Sequence, residues 1–191
     1  MTGAGRRSLL VTGVSIVDAA SGSTSAPQDI LIEAGRIARI APAGALTAPA
    51  GTPSVDGAGR FAMAGLIDVH AHLGEGGIAP ADEAARSRAL RQFLRYGVTT
   101  IFVPGGTGAN DADFAALRER CRSDGGACPG LYGSGSLITA PGSHPISTIF
   151  NLPVDPPSAA MEAVGVTMLA ADADIDALIA ARKAAGADAI K

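Results

Sequence analysis

The stretch Gly65-Leu66-Ile67-Asp68-Val69-His70-Ala71-His72-Leu73 is the most informative part of the sequence. Its apolar residues form a short run after a glycine, a pattern typical of a buried strand. Because side chains alternate between the two faces of a strand, His70 and His72 are expected on the same face. Two imidazoles that converge at a strand end can bind one metal ion, and neutral imidazole suits zinc, iron, nickel or cobalt. The competing interpretation is a pair of solvated or hydrogen-bonded histidines without a metal.

The composition is that of a globular chain. The 191 residues are 47% hydrophobic and 17% charged, and the net charge is −3 with both signs interspersed. We therefore expect no binding to nucleic acid or to a membrane. The apolar run Leu9-Leu10-Val11 is too short for a signal peptide, so the expected location is the cytoplasm. Cys121 and Cys128 form no Cys-x-x-Cys pattern and are predicted to be reduced thiols without a function.

Residues 1–60 are predicted to form a small all-β module. Segments rich in Val and Ile at 9–17, 29–33 and 36–40 predict three strands, and Ala34-Gly35 predicts a hairpin between the last two. A Pro/Gly/Ala connector and two further short strands follow, with a glycine turn between these strands.

Residues 61–191 alternate between strand and helix patterns, which predicts parallel βαβ units. We expect four strands, at about 66–72, 98–103, 130–138 and 187–191, and three helices, at about 80–96, 110–122 and 172–185. Ile175, Leu178, Ile179 and Arg182 are expected to line the buried face of the third helix. The Pro-rich segment 139–169 is predicted to be a long loop.

Several of these segments resemble the amidohydrolase superfamily. Gly65-Leu-Ile-Asp-Val-His-Ala-His72 closely matches its first-strand signature, Pro-Gly-Leu-Ile-Asp-x-His-x-His, with Ala64 in place of the proline. Tyr96-Gly-Val-Thr-Thr100 resembles the segment before the second barrel strand. The resemblance implies an α/β fold, in which an N-terminal β-sandwich module precedes the first half of a (β/α)8 TIM-type barrel. The strands that complete both parts are expected in a C-terminal segment outside this chain.

The end of the chain resembles the fourth barrel strand of the binuclear amidohydrolases. Gly186-Ala-Asp-Ala-Ile-Lys191 is close to their Gly-Ala-Asp-x-Ile-Lys, whose lysine carries a carboxylate derived from CO₂. The resemblance implies that Lys191 is carboxylated and bridges two divalent ions, with zinc preferred and iron, cobalt, nickel or manganese as alternatives. His70 and His72 would bind the more buried ion. A carbamate offers two oxygens, whereas an ammonium would repel the metals. An ordinary solvated lysine is the competing interpretation.

His144 is a candidate for substrate binding. It follows the predicted third strand, at the barrel end where loops build active sites. Its Pro-Gly-Ser-His loop resembles the Gly-Gly-His loop of the imidazolonepropionase and prolidase-like branch, in which the histidine contacts substrate. A loop histidine without a role is the alternative.

The predicted function is metal-dependent hydrolysis of an amide bond in a small molecule such as a cyclic amide or a dipeptide. The resemblance implies attack by a metal-bound hydroxide, with two further histidine ligands and an aspartate base in the missing segment, so no catalytic base is assigned in this chain. We also expect a homo-oligomer. The alternatives are a mononuclear deaminase, a lactone or phosphoester hydrolase of the same fold, and a non-catalytic half that assembles with a partner.

Overall fold

The computed structural model describes residues 8–73, 82–105, 111–123, 128–146, 148 and 158–191. The chain divides into two compact units, Met1–Ala64 and Gly65–Lys191. Most of the predicted loop between residues 147 and 157 lies outside the described residues. Within the part described, no helix is both long and apolar enough to cross a membrane.

The first unit contains one five-stranded sheet. Its strands are β1 (Leu9–Val17), β2 (Thr24–Glu33), β3 (Arg36–Pro42), β4 (Ser54–Asp56) and β5 (Phe61–Ala62). The order is β3-β2-β1-β4, the first three strands are antiparallel, and β5 also pairs with β1. The predicted hairpin joins β2 to β3, and both of its turn residues have positive φ, 57° at Ala34 and 74° at Gly35. The strands described in residues 8–64 all belong to this one sheet, so the sandwich remains a prediction.

A buried carboxylate ties the first unit together. Asp29 is 2% exposed and accepts the amides of Gly13 at 2.9 Å and Gly44 at 2.8 Å. The hydrogen bond from Gly13 lowers the pKa of Asp29, and it outweighs the burial that alone would raise this pKa. One side chain of β2 thereby holds both the register shift of β1 around Gly13 and the turn at Gly44.

The second unit is built on a parallel sheet. Strands β6 (Leu66–Asp68), β7 (Val98–Val103) and β8 (Gly130–Gly133) lie in the order β6-β7-β8. Helices α1 (Glu83–Arg95) and α2 (Asp111–Ser123) follow the first two strands, as the strand–helix alternation predicted. The Asp82 carboxylate caps α1 by accepting the amides of Ala84 and Ala85, and Gly97 ends the turn after α1 with a φ of 80°.

A contiguous core lies between this sheet and its helices. Its fully or nearly fully buried side chains are Ala71, Leu73, Leu90, Ile101, Val103, Phe114, Leu117, Cys121 and Leu131. Phe114, Leu117 and Cys121 of α2 recur at the helical period, and Ile101 and Val103 of β7 recur at the strand period, so each element turns one face to this core.

The region after β8 departs from the prediction. In place of one third strand, residues 130–139 form β8 and a separate strand β9 (Leu137–Thr139), interrupted by Gly135 with a φ of 67°. The predicted loop contains helix α3 (Ser158–Ala163) and strand β10 (Val166–Met168), which pairs in parallel with β9. Both elements are short, and their stabilising contacts come from distant residues such as Ile146, which packs with Met161 and Val166.

The last helix is shorter than predicted and buries only part of the predicted face. Helix α4 spans Ile175–Ala184 and is capped by Asp174. Ile175 and Ile179 are 47% and 40% exposed, and the buried residue of the predicted stripe is Arg182. Arg182 donates to the carboxylate of Asp111, so an ion pair between helices α4 and α2 replaces the expected apolar contact.

The two cysteines are linked in the structure. Cys121, in the last turn of α2, and Cys128, just before β8, form a disulfide with Cα atoms 5.1 Å apart. The prediction of reduced thiols is therefore wrong here, because the connection from α2 to β8 brings the two residues together.

Candidate metal centre

The histidine pair lies just past the carboxyl end of β6. That strand ends at Asp68, whose carboxylate accepts the amide of His70 at 3.0 Å. The backbone then stays beside β7, because the amide of Ala71 donates to the carbonyl of Phe102 at 2.9 Å. His70 and His72 thus follow a strand that is shorter than predicted, but they remain at the sheet edge where parallel strands present functional side chains.

The structure brings the two imidazole rings together. The ring centroids of His70 and His72 are 5.3 Å apart and the ring planes are inclined by 55°, so the rings are neighbours without stacking. Partial burial lowers the pKa of His72, and the positive charges of His70 and Lys191 lower this pKa further. The neutral imidazole, which is the metal-binding form, therefore persists to a lower pH than in an ordinary histidine.

Lys191 lies close enough for its charge to act on His72. The predicted fourth strand does not form: residues 187–191 have no regular strand conformation. They are nevertheless attached to the sheet region, since the Asp188 amide donates to the Gly133 carbonyl and the Ile138 amide donates to the Lys191 carbonyl, each at 2.8 Å. Because these two hydrogen bonds go to different strands, β8 and β9, residues 187–191 do not pair continuously with either strand.

His144 is placed differently from the other candidates. Its side chain is exposed, and its Nδ1 lies 2.6 Å from the hydroxyl of Thr148. Its carbonyl accepts a hydrogen bond from the hydroxyl of Thr139 at 2.7 Å. Among the described residues these contacts connect His144 to its own loop and not to the histidine pair.

The donor set fits part of a zinc shell. His70 and His72 offer two nitrogen donors of the kind zinc prefers, and the ring spacing allows both to contact one ion. The described residues contain no group of three or more His, Cys, Asp or Glu side chains that could hold a metal by itself. A complete shell would need a carboxylated Lys191, or ligands from elsewhere, in addition to the two imidazoles.

The sequence interpretation missed an ion pair at the segment that carries Lys191. Arg118 of α2 and Asp188 form an ion pair at 2.5 Å, with side chains 11% and 32% exposed. Asp188 belongs to the same Gly-Ala-Asp-x-Ile-Lys motif as Lys191, which is the signal that could have identified it. Nothing in the local pattern of α2 indicated Arg118, because its partner lies 70 residues further along the chain.

Curated relatives share sequence with part of this chain. A deacetylase of Agrobacterium fabrum is 36% identical over 112 residues, which are 58% of this chain and 25% of the relative. Adenine deaminase 3 of Rhizobium meliloti is 35% identical over 102 residues, 53% of this chain and 16% of the relative. A dihydroorotase of Pelotomaculum thermopropionicum is 41% identical over 95 residues, 49% of this chain and 20% of the relative. The chain thus spans a quarter or less of these relatives. No protein-family model matches it.

Solved structures share its fold over nearly the whole chain. A prolidase complexed with N-methylphosphonate-L-proline has a TM-score of 0.72 at 19% identity, and an amidohydrolase has 0.71 at 22%. A Xaa-Pro dipeptidase with bound methionine has 0.67 at 21%. In each case the match covers 96% of this chain and 46% of the other. The predicted resemblance to the amidohydrolase superfamily is therefore confirmed in sequence and in fold.

Proposed function

We propose that this chain supplies the first metal ligands of a metal-dependent hydrolase that cleaves a C–N bond in a small amide substrate. The proposal rests mainly on the His70–His72 pair, with ring centroids 5.3 Å apart past the end of β6 and the charge of Lys191 acting on it. The relatives named above as deacetylase, deaminase, dihydroorotase and dipeptidase all act on C–N bonds, which supports this reaction class.

In this proposal the residues of the chain have separate tasks. His70 and His72 would hold one ion through neutral imidazole nitrogens, and Lys191, carboxylated by CO₂, would be a ligand shared with a second ion. Zinc, when bound, would supply a Lewis acid and lower the pKa of a water molecule. The base and the remaining ligands are assigned to residues outside this chain. The substrates proposed are cyclic amides and dipeptides.

The first test is a metal count on the natural full-length protein. After chelation and dialysis, zinc titration should give two ions per active site, and His70→Ala with His72→Ala should remove the more buried one. The matched control is His144→Ala, which removes the third histidine of the sequence and should keep both ions. Equal metal content in the double variant and the wild type would refute the ligand assignment.

The second test concerns the reaction. The reconstituted protein should hydrolyse at least one of three probes, an N-acetyl amino acid, a Xaa-Pro dipeptide or a dihydropyrimidine ring, and chelation should abolish the activity. Adenine deaminase relatives justify adenine as a fourth probe, since that reaction also breaks a C–N bond. Turnover of adenine alone, with one ion per site, would favour the mononuclear deaminase alternative. Hydrolysis that survives complete metal removal would contradict the proposal.

A further inference from the structure

The segment that carries Lys191 is held to the rest of the second unit at several points. The carbonyl of Gly186 accepts a hydrogen bond from Arg118 Nη1 at 2.8 Å. Two residues later the Asp188 amide donates to Gly133, and at the end of the segment the Lys191 carbonyl accepts from Ile138. Residues 186–191 are thus attached by separate backbone and side-chain hydrogen bonds without forming a strand.

Asp188 makes more of these hydrogen bonds than any other described residue of the segment. Its carboxylate accepts the amide of Gly133 at 2.9 Å, and its own amide donates to the carbonyl of the same glycine at 2.8 Å. The carboxylate also accepts from Arg118 Nη2 at 2.5 Å. A residue tied at both its backbone and its side chain has little freedom to shift along β8. The position of Lys191, three residues later, is restricted in the same way.

Arg118 is itself held firmly. Its guanidinium lies over the ring of Phe114, with the central carbon 4.8 Å from the ring centroid, and its side chain is 11% exposed. The ring of Phe114 packs closely against Gly133. This contact requires glycine, because a Cβ at position 133 would lie 2.6 Å from both the Val103 carbonyl and the Phe114 ring. The guanidinium therefore occupies a fixed place between α2 and the segment that carries Lys191.

We propose that Asp188 and Arg118 are positioning residues that hold Lys191 in register with the histidine pair. The proposal rests on the function proposed above for Lys191 and adds two residues that would act on the second metal without contacting it. A poorly exposed ion pair is a weak source of net stability, because desolvation offsets its attraction. The effect of the Arg118–Asp188 pair on the position of Lys191 is therefore more informative than its effect on stability. Loss of residues that orient a metal ligand typically weakens metal binding by about 10–100-fold.

The decisive measurement is amide hydrogen exchange on the metal-free, natural full-length protein. The amide of Ile138 bonds to Lys191 on one side of β9, and the amide of Leu137 bonds to Gly165 on the other side. We expect Asp188→Ala to speed exchange at Ile138 about tenfold or more and to leave Leu137 unchanged. General destabilisation would speed both amides by the same factor. Equal acceleration, or none, would overturn the positioning role.

Two further variants keep the test decisive. Asp188→Asn keeps the volume and one acceptor oxygen, so it should fold even where the alanine variant does not, and it should give a smaller change at Ile138. Arg122→Gln is the matched control, because Arg122 lies on the same helix and pairs with Glu119 in an exposed position. It should leave both amides unchanged. An effect of Arg122→Gln equal to that of Asp188→Asn would also contradict the proposal.

A metal titration distinguishes a failure of the positioning role from a failure of the proposed function. In a zinc titration with bicarbonate present, Asp188→Ala should bind the first ion normally and the second about 10–100-fold more weakly. An unchanged second affinity would refute the positioning role. A wild-type protein with neither a second ion nor a ¹³C carbamate signal on Lys191 would refute the metal bridge instead, and the Ile138 result would still decide whether Asp188 holds the segment.

Discussion

The two units of this chain are stabilised in different ways. In residues 8–64 the strands are joined mainly by backbone hydrogen bonds, and the buried apolar side chains described there are Val14, Ile30 and Leu31. The second unit instead has a contiguous core between its parallel sheet and α1 and α2. Antiparallel sheets tolerate one solvated face, whereas parallel sheets usually need cover on both faces. The candidate metal ligands occur in the unit with the stronger core, which suits a site that needs precisely placed side chains.

The largest expected effect is a difference between the two units in their stabilisation by zinc. Zinc stabilises only the unit that binds it, by an amount that rises with the zinc concentration relative to Kd. We expect zinc to raise the melting temperature of the second unit by several degrees and to leave the first unit unchanged. His70→Ala with His72→Ala should eliminate this shift. The measurement is calorimetry of the natural full-length protein with and without zinc, and an undiminished shift in the double variant would contradict the assignment.

Lys191→Ala should have the next largest effect, restricted to the second ion. Removing the proposed bridge should reduce metal content from two ions to one and lower hydrolysis by about 100-fold or more. Short carboxylic acids such as acetate should restore part of the metal content and part of the hydrolysis by supplying a substitute bridging ligand. Metal analysis and hydrolysis assays across an acetate titration test this. The result that would refute the bridge is a variant that retains two ions without acetate.

Core truncation compares the stability of the two units directly. Leu90 is 0% exposed and lies in the core of the second unit, while Leu31 is 2% exposed in β2. Replacing a buried leucine by alanine costs about 2–5 kcal/mol, depending on the cavity left behind. We expect the loss of unfolding free energy to lie near the upper end of this range for Leu90→Ala and near the lower end for Leu31→Ala, because fewer buried neighbours surround Leu31. Urea denaturation of each variant measures this, with Ile37→Ala at a 62% exposed position as the control. The reverse order would contradict the comparison.

The sequence predicted local structure well where the determining residues are close together in the chain. The hairpin at Ala34-Gly35 and the end of α1 before Gly97 each depend on a few neighbouring residues. Prediction failed where distant contacts decide the structure. The pairing of β9 with β10 and the exposure of Ile175 follow from packing between segments far apart in sequence, which no local period encodes.

The same distinction applies to the candidate site. The two-residue spacing of His70 and His72 was enough to expect neighbouring rings, and these lie 5.3 Å apart. The contact of Asp188 with Arg118 joins residues 70 positions apart, and it depends on the return of the chain after α4. The short spacing therefore predicted the pair of rings, and the resemblance predicted Lys191 as a further candidate ligand, whereas the proposed positioning residues required the three-dimensional structure.

The smallest expected effect is a pH dependence confined to the first unit. The hydrogen bond from Gly13, together with those from Gly44 and Leu46, lowers the pKa of Asp29 below its usual value of 3.8 despite burial. A carboxyl group with a lowered folded-state pKa contributes stability above its unfolded pKa and loses it as pH falls through the folded value. The first unit should therefore become easier to unfold below about pH 4, where carboxyl groups begin to protonate.

Asp29→Asn isolates this contribution. Asparagine does not titrate, and its one carbonyl oxygen can accept only one of the two backbone amides, while its NH₂ group faces the other without accepting it, so the variant should be less stable at pH 7. Its stability should also depend less on pH between 5 and 2 than that of the wild type. Urea midpoints of the first unit across this range provide the measurement. Glu33→Gln, which removes an exposed carboxylate from the same strand, is the matched control and should keep the wild-type midpoint at pH 7. If Asp29→Asn retained the full acid dependence of the wild type, the acid sensitivity would originate in other carboxylates, and the lowered pKa of Asp29 would not be its cause.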